Sequence, residues 1–196
     1  MRLGSFTIRL MMRIPSVFFL KLKKIDADEQ PIEPAKDEEV DPNQPKLVHD
    51  EYDNGNTEYD GYKKNNMKEG WGTYYDEYDY KIYEGNWEED HQSGFGTEYF
   101  EDGKTPHYVG TFKLDELNGE GFEYRDNGTI LYEGEFKEGV YHGIGARHYK
   151  KYYGIEYEGN WEEGRFQGQG EKYYENAELM FCGCYADGIL NGQGEI

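Results

Sequence analysis

Glycines spaced two apart recur as GFG (Gly94–Gly96), GEG (Gly119–Gly121), GIG (Gly143–Gly145) and GQG (Gly168–Gly170). A glycine pair of this kind can cradle a phosphate on its backbone amides, provided a third glycine and a helix follow. "GFGTEY" supplies neither, and the other copies match it, so these are read as strand glycines and no nucleotide site is expected. Nucleophilic catalysis is equally short of parts. Ser5, Ser16 and Ser93 are the only serines, and none lies in a G-x-S-x-G elbow. His49, His91, His107, His142 and His148 are scattered without a recurrent acid partner. Carboxylates are so numerous that any two could be paired on paper, which gives such a pair no diagnostic value. Cys182 and Cys184 are the only cysteines. They cannot complete a four-ligand zinc site, and two residues apart on a strand they are too far separated to bridge comfortably. Free thiols suit a reducing compartment. "DEYDNGNTEYDG" (Asp50–Gly61) has the texture of a calcium loop, but Tyr52 stands at a ligand position and Gly61 where the closing Glu belongs. It is read as an acidic turn, and Asn127-Gly128-Thr129, although a glycosylation sequon, as a reverse turn. The expectation is therefore no catalytic residue, no metal, no cofactor and no small-molecule substrate.

Charge narrows the partners. Residues 1–25 hold six bases and no acid, residues 26–58 are net −10 and residues 59–196 net −16, for a total of −20. The acidic main body repels nucleic acid and anionic membranes and favours basic partners. The N-terminal "MRLGSFTIRLMMRIPSVFFLKLKK" is interrupted by Arg13 and Pro15, which argues against a secretory signal. It reads as a mitochondrial-type presequence, as a basic amphipathic segment docking on a membrane or in a partner's groove, or merely as a disordered or misassigned start. Residues 26–58 are acidic and contain Pro31, Pro34, Pro42 and Pro45, the composition of an extended linker.

What must position any functional side chain is a repeat running from 59 to 196. With its first aromatic at offset 0, the units start at Tyr59, Tyr83, Tyr108, Tyr132, Tyr157 and Phe181, alternately 24 and 25 residues apart. Offset +2 is always glycine: Gly61, Gly85, Gly110, Gly134, Gly159 and Gly183. Offset +4 carries Trp87, Phe112, Phe136, Trp161 and Tyr185, with Lys63 the exception in the first unit. Offsets +11 and +13 carry Gly70/Gly72, Gly94/Gly96, Gly119/Gly121, Gly143/Gly145, Gly168/Gly170 and Gly192/Gly194. Even offsets share one face of a strand, so each unit is expected to be one β-hairpin, joined by a short polar loop such as Glu162–Gln167. "EDGK" (Glu101–Lys104) and "DNGT" (Asp126–Thr129) supply the reverse turns between units. A strand bare of side chains on one face leaves a trough in which the large rings can lie. In this reading both glycines of each +11/+13 pair line the trough.

"YEGNWEEDHQSGFG", "YEGEFKEGVYHGIG" and "YEGNWEEGRFQGQG" resemble the MORN (membrane occupation and recognition nexus) repeat, whose pattern is approximately Y-x-G-x-W/F, a Gly-containing loop and G-x-G-x-x-x-Y. The resemblance covers about residues 59–196. It implies an all-β fold: an elongated, single-layer, twisted antiparallel sheet of consecutive hairpins carrying a non-globular N-terminal extension. It further implies a non-catalytic scaffold, of a kind found in cytoskeletal, ciliary and membrane-linked assemblies. Some relatives add a SET methyltransferase or phosphoinositide kinase domain, for which these 196 residues leave no room. Lys63 looks like a capping departure, and His148 stands where the other units have Tyr75, Tyr99, Tyr124 and Tyr173 at +16. The last unit stops just after its glycine pair, so an open edge or a cut chain is expected there.

Two partner surfaces follow. Offsets +1 and +3 alternate away from the rings and form an acidic, polar stripe that includes Glu84, Glu133, Glu135 and Glu158, suited to a basic helix or tail. On the opposite side, Tyr75, Tyr99, Tyr124 and Tyr173 are expected as exposed rings for an apolar partner. The reading is a scaffold subunit contacting other proteins, in a cytoskeletal or axonemal setting of the radial-spoke kind. The alternatives are an accessory subunit of a mitochondrial or other membrane complex, or a membrane-recruitment module acting through residues 1–25.

Overall fold

The computed structural model describes residues 43–151 and 154–192. The basic segment 1–25, most of the acidic linker and Gly194 lie outside them. Thirteen strands form one antiparallel sheet in strict sequence order: β1 (Lys46–Glu51), β2 (Thr57–Lys64), β3 (Met67–Tyr75), β4 (Lys81–Glu88), β5 (His91–Tyr99), β6 (Pro106–Lys113), β7 (Glu116–Tyr124), β8 (Ile130–Lys137), β9 (Val140–His148), β10 (Ile155–Glu162), β11 (Arg165–Tyr173), β12 (Leu179–Ala186) and β13 (Ile189–Leu190). The sheet is open and uncurled and contains no helix among the described residues. Each repeat is one hairpin, β2–β3 being the first and β10–β11 the fifth. One strand falls inside the stretch read as linker. β1 pairs with β2 through Leu47↔Tyr62 and Val48↔Gly61, and Val48 packs on the core. The open edge of β2 offers backbone groups that a short alternating segment can satisfy, and the surrounding acids hide that alternation in the composition.

Two-residue turns close the hairpins. Both central residues have positive φ in every one: Asn65 (51°) and Asn66 (66°), Glu89 (49°) and Asp90 (70°), Leu114 (50°) and Asp115 (68°), Glu138 (51°) and Gly139 (74°), Glu163 (49°) and Gly164 (74°), Asp187 (50°) and Gly188 (78°). Such turns match the twist of the flanking strands. They also tie one unit to the next. The second turn residue donates its N–H to a carbonyl of the preceding unit, Asp90 to Lys68 (3.1 Å), Asp115 to Gln92 (3.2 Å) and Gly139 to Leu117 (3.0 Å). Leu114 is the odd residue here, apolar, exposed and left-handed. Leu114→Asn is expected to stabilise the protein by about 1 kcal/mol, because Asn adopts this backbone region with less strain. A higher urea midpoint at unchanged slope is the result to look for.

The register aligns eleven glycines into one row across β2–β12: Gly61, Gly72, Gly85, Gly96, Gly110, Gly121, Gly134, Gly145, Gly159, Gly170 and Gly183. These are the +2 and +13 positions. The +11 glycines are not in the row, which corrects the expectation that both members of each pair line the trough. After Gly85↔Gly96 the next pair is Trp87↔Gln92, so Asn86 alone faces Ser93, Gly94 and Phe95. The extra residues form a bulge. Gly70, Gly94, Gly119, Gly143 and Gly168 take positive φ there, as Gly192 does just beyond β13. A Cβ on the first five would point at Tyr62, Asn86, Thr111, Glu135 or Asn160, all at offset +3 on the other face.

Candidate interaction surface

One face of the sheet is consumed by its own rings. Tyr59, Tyr83, Tyr132 and Tyr157 are fully buried, and Trp87, Phe112, Phe136, Trp161 and Tyr185 nearly so. Each tyrosine ring lies over the glycine row, where there is no Cβ to lift it. Its hydroxyl donates to the +3 carbonyl: Tyr59 to Tyr62 (3.0 Å), Tyr83 to Asn86 (3.1 Å), Tyr132 to Glu135 (3.0 Å) and Tyr157 to Asn160 (3.0 Å). The +4 ring meets it edge-on, with centroids 5.0 Å apart for Tyr83–Trp87 and 5.2 Å for Tyr157–Trp161, a favoured quadrupole geometry. Trp87 and Trp161 donate Nε1–H to the carbonyls of Gly72 (3.1 Å) and Gly145 (2.9 Å). Phe181 is half-buried and edge-on to Tyr185.

Offset +9 is a structural position that the sequence reading missed. The bulge brings it opposite +4, where it roofs the tyrosine. Tyr141 stacks on Tyr132 and Phe166 on Tyr157, both at 3.8 Å, and the Lys68 ammonium lies over Tyr59, Tyr74 and Trp87. Its residue type varies from Lys to Tyr, so identity carried no signal; the pairing of +4 with +9 would have exposed it. In the third unit the roof replaces the floor. Leu117 is buried, and the atoms nearest a Cβ at Gly110 would be the Glu120 carbonyl, Gly121 Cα and Leu117 Cδ2, where the first, second, fourth and fifth units have their tyrosine hydroxyl among the nearest. Tyr108 is only half-buried, leaning on His107 at 3.9 Å. His107 lies 3.6 Å from Glu98, whose carboxyl burial pushes above its ordinary range while His107 opposes the shift.

Burial also raises the phenol pKa of Tyr59, Tyr83, Tyr132 and Tyr157 above the ordinary value of 10.0. At Tyr108 burial, followed by Glu123 and Glu98, pushes it up to about 12. The unfolded chain releases these protons first as pH rises, so between the ordinary and raised values the folded state binds more protons. Stability is thus intact below the ordinary tyrosine pKa and falls as pH climbs through the folded values. Urea midpoints are expected to hold between about pH 7 and 9 and drop steeply beyond about pH 10.5, with phenolate absorbance appearing only as the protein unfolds.

The other face carries the predicted partner residues, and their arrangement differs from expectation. Tyr75, Tyr99, Tyr124 and Tyr173 share it with the glutamates. Tyr99 donates its hydroxyl to Glu84 (3.2 Å), and Tyr173 donates to Glu158 (2.6 Å) or Glu171 (2.5 Å). Burial and then Glu133 raise the Tyr124 phenol pKa, and Lys81, paired with Glu84, lies 5.6 Å from the centre of the Tyr99 ring. All four tyrosines are half-buried. The bulge between +15 and +16, as at Glu98/Tyr99 and Lys172/Tyr173, realigns the strand ends so that the hydroxyls of Tyr99 and Tyr173 reach the +1 carboxylates of their own units. The glutamates are accordingly occupied. Glu84 accepts Lys81 at 2.7 Å, Glu133 lies 3.0 Å from His148 Nε2, and Glu135 accepts the Ile144 N–H at 2.9 Å. The truly exposed rings on this face are Tyr62, Trp71 and Phe95, joined by Ile144 farther along. Among the described residues no group of three or more His, Cys, Asp or Glu is placed to hold a metal ion; Cys182 and Cys184 are reduced cysteines, with Cys182 Sγ 3.6 Å from Glu171 Oε1. No described helix is long and apolar enough to cross a membrane.

A one-layer sheet of hairpins, cored by rings over a glycine row and stacking each unit only on its neighbours, defines a β-hairpin repeat protein. The MORN repeat model matches at residues 83–105, 108–130, 132–152 and 157–176, so the chain carries MORN repeats over its four central units. MORN repeats commonly act as protein- or membrane-interaction modules and are typically non-catalytic. No curated protein matches the chain.

Proposed function

We propose that the chain is a non-catalytic scaffold subunit of a larger assembly, presenting the face opposite its rings to partner proteins. One observation carries this reading: the ring face closes on itself, whereas the other face leaves Tyr62, Trp71 and Phe95 exposed and its paired carboxylates, such as Glu84 and Glu133, only partly covered. The acidity of residues 59–196, net −16, favours partners with basic surfaces. The cytoskeletal or ciliary setting rests on the family resemblance alone. A membrane-complex or membrane-recruitment role rests on the six bases and no acid of residues 1–25. Affinity purification of the full chain with cross-linking mass spectrometry tests the scaffold reading. Cross-links from partner lysines to carboxylates near Glu84, Glu133 and Glu158 support it, and their absence from that face removes it. Vesicle sedimentation with and without residues 1–25 tests membrane recruitment, which unchanged pelleting would eliminate.

A further inference from the structure

We propose that Tyr62, Trp71 and Phe95 form a docking site for a basic amphipathic helix of a partner protein. The proposal rests on the scaffold reading and deepens it. None of the three belongs to the repeat's ring core. Tyr62 is at offset +3, held elsewhere by Asn86, Thr111, Glu135, Asn160 and Cys184, and Trp71 and Phe95 are at +12, held elsewhere by Glu120, Ile144, Gln169 and Gln193. All three are nonetheless more than two-fifths exposed, although a soluble sheet face gains nothing from bare rings.

Their register makes them one row. Leu47 pairs with Tyr62, Trp71 with Asn86, and Phe95 with Thr111, while Asn86 Nδ2 donates to the Phe95 carbonyl at 3.2 Å and so fixes the strip between the rings. Trp71 on β3 and Phe95 on β5 are two strand spacings apart, about 9.6 Å. A helix crossing the strands places side chains i and i+7 about 10.5 Å apart, with i+3 and i+4 between them. One apolar helix stripe therefore covers both rings and the amide between them. Carboxylates flank the row. Asp60 and Glu84 alternate with it on one side and Glu88 on the other. Lys64 and Lys81 offset part of that charge, but residues 59–196 remain net −16. A helix with Lys or Arg beside its apolar stripe complements both features, and its cations can lie over the exposed ring faces.

Trp71 provides the readout, since the other two tryptophans, Trp87 and Trp161, are buried. The probe is a synthetic helical peptide with leucines at i, i+3, i+4 and i+7 and lysine or arginine at the flanking positions. Its controls are a sequence-scrambled peptide and one with glutamate replacing the bases. With the full chain, the basic amphipathic peptide is expected to shift Trp71 emission to the blue and to bind at least tenfold more tightly than either control. Phe95→Ser and Trp71→Ser, read by the anisotropy of labelled peptide, should each weaken it about tenfold, whereas Ile144→Ser on the same face should leave it unchanged. Equal binding of the scrambled peptide, or indifference to both substitutions, overturns the proposal. So does a Trp71 shift produced by phosphatidylserine vesicles and not by the peptide, which would assign the rings to lipid. Partner cross-links confined to Glu133 and Glu158 would leave the scaffold reading standing while these outcomes removed the helix site.

Discussion

Gly170→Ala is expected to lower the stability of the protein by about 3 kcal/mol, at the upper end for overpacking a core. A Cβ at this position would lie 2.5 Å from Cζ and 2.6 Å from Cε2 of Tyr157, well inside contact distance. The ring has nowhere to retreat. Phe166 is stacked on it at 3.8 Å, and Trp161 and Tyr185 stand edge-on at 5.2 and 5.3 Å. Its hydroxyl is fixed on the Asn160 carbonyl. Facing Gly170 across the ladder is Gly159, so the sheet cannot relax toward a larger neighbour. Two other glycines separate this effect from a general intolerance of alanine. Gly164→Ala meets nothing within 4 Å but must hold φ 74°, and should cost about 1 kcal/mol through backbone strain alone. Gly154→Ala meets nothing and needs no special backbone, and should fall within about 0.5 kcal/mol of the parent. Urea unfolding of the three variants gives the ranking. A Gly170→Ala midpoint equal to that of Gly154→Ala would mean that the rings do not rest on the glycine row.

Much of this architecture can be read from letter positions, because its cause is local. A ring at 0, a glycine at +2 and a ring at +4 in unit after unit describe a strand with a bare strip between two rings, and alternation is enough to place them on one face. The bulges are where that reasoning stops. Alternation counts residues, and a bulge adds residues to one strand without changing the letters. Hence Gly94 and Gly96 look equivalent in sequence, yet Gly96 lies under Tyr83 while Gly94 turns the chain beneath Asn86. The same extra residues carry Gln92 opposite Trp87 and turn offset +9 into a roof. At the far end of the strand a second irregularity brings Tyr99 to Glu84 and Tyr173 to Glu158, which reads in sequence as two unrelated surfaces. Tyr62, Trp71 and Phe95 were legible only as residue types, since an aromatic stands at +12 in just the first two units and at +3 in just the first. Their meaning comes from a register that puts three separate strands side by side.

The third unit permits a test in which letter and position disagree. Tyr132→Ala removes a fully buried ring that stacks on Tyr141 at 3.8 Å and meets Phe136 and Trp161 edge-on. Large-to-small changes at such sites cost about 3–5 kcal/mol, and the void would open between two units and weaken their coupling as well. By pattern alone Tyr108→Ala is the same change. In the structure Tyr108 is half-buried, and Leu117, nearly fully buried, lies over Gly110 in its place. Tyr108→Ala should therefore cost about 1–2 kcal/mol, well short of the full cavity penalty. Leu117→Ala should cost more, about 2–5 kcal/mol. The order Tyr132 and Leu117 above Tyr108, measured as urea midpoints, is the expected outcome. If Tyr108→Ala proved as damaging as Tyr132→Ala, the third unit would be using its tyrosine like the others, and the exchange of roof for floor would be wrong. The distinction matters for the whole array, because neighbouring units share rings: Tyr83 meets Phe112 at 5.2 Å and Tyr108 meets Phe136 at 6.5 Å. A unit that substitutes Leu117 for its central tyrosine keeps the edge contact to the unit before it and loosens the one after. Among the interior hairpins, β6–β7 is thus the one that should first lose protection against amide exchange, at denaturant concentrations that leave β8–β11 closed.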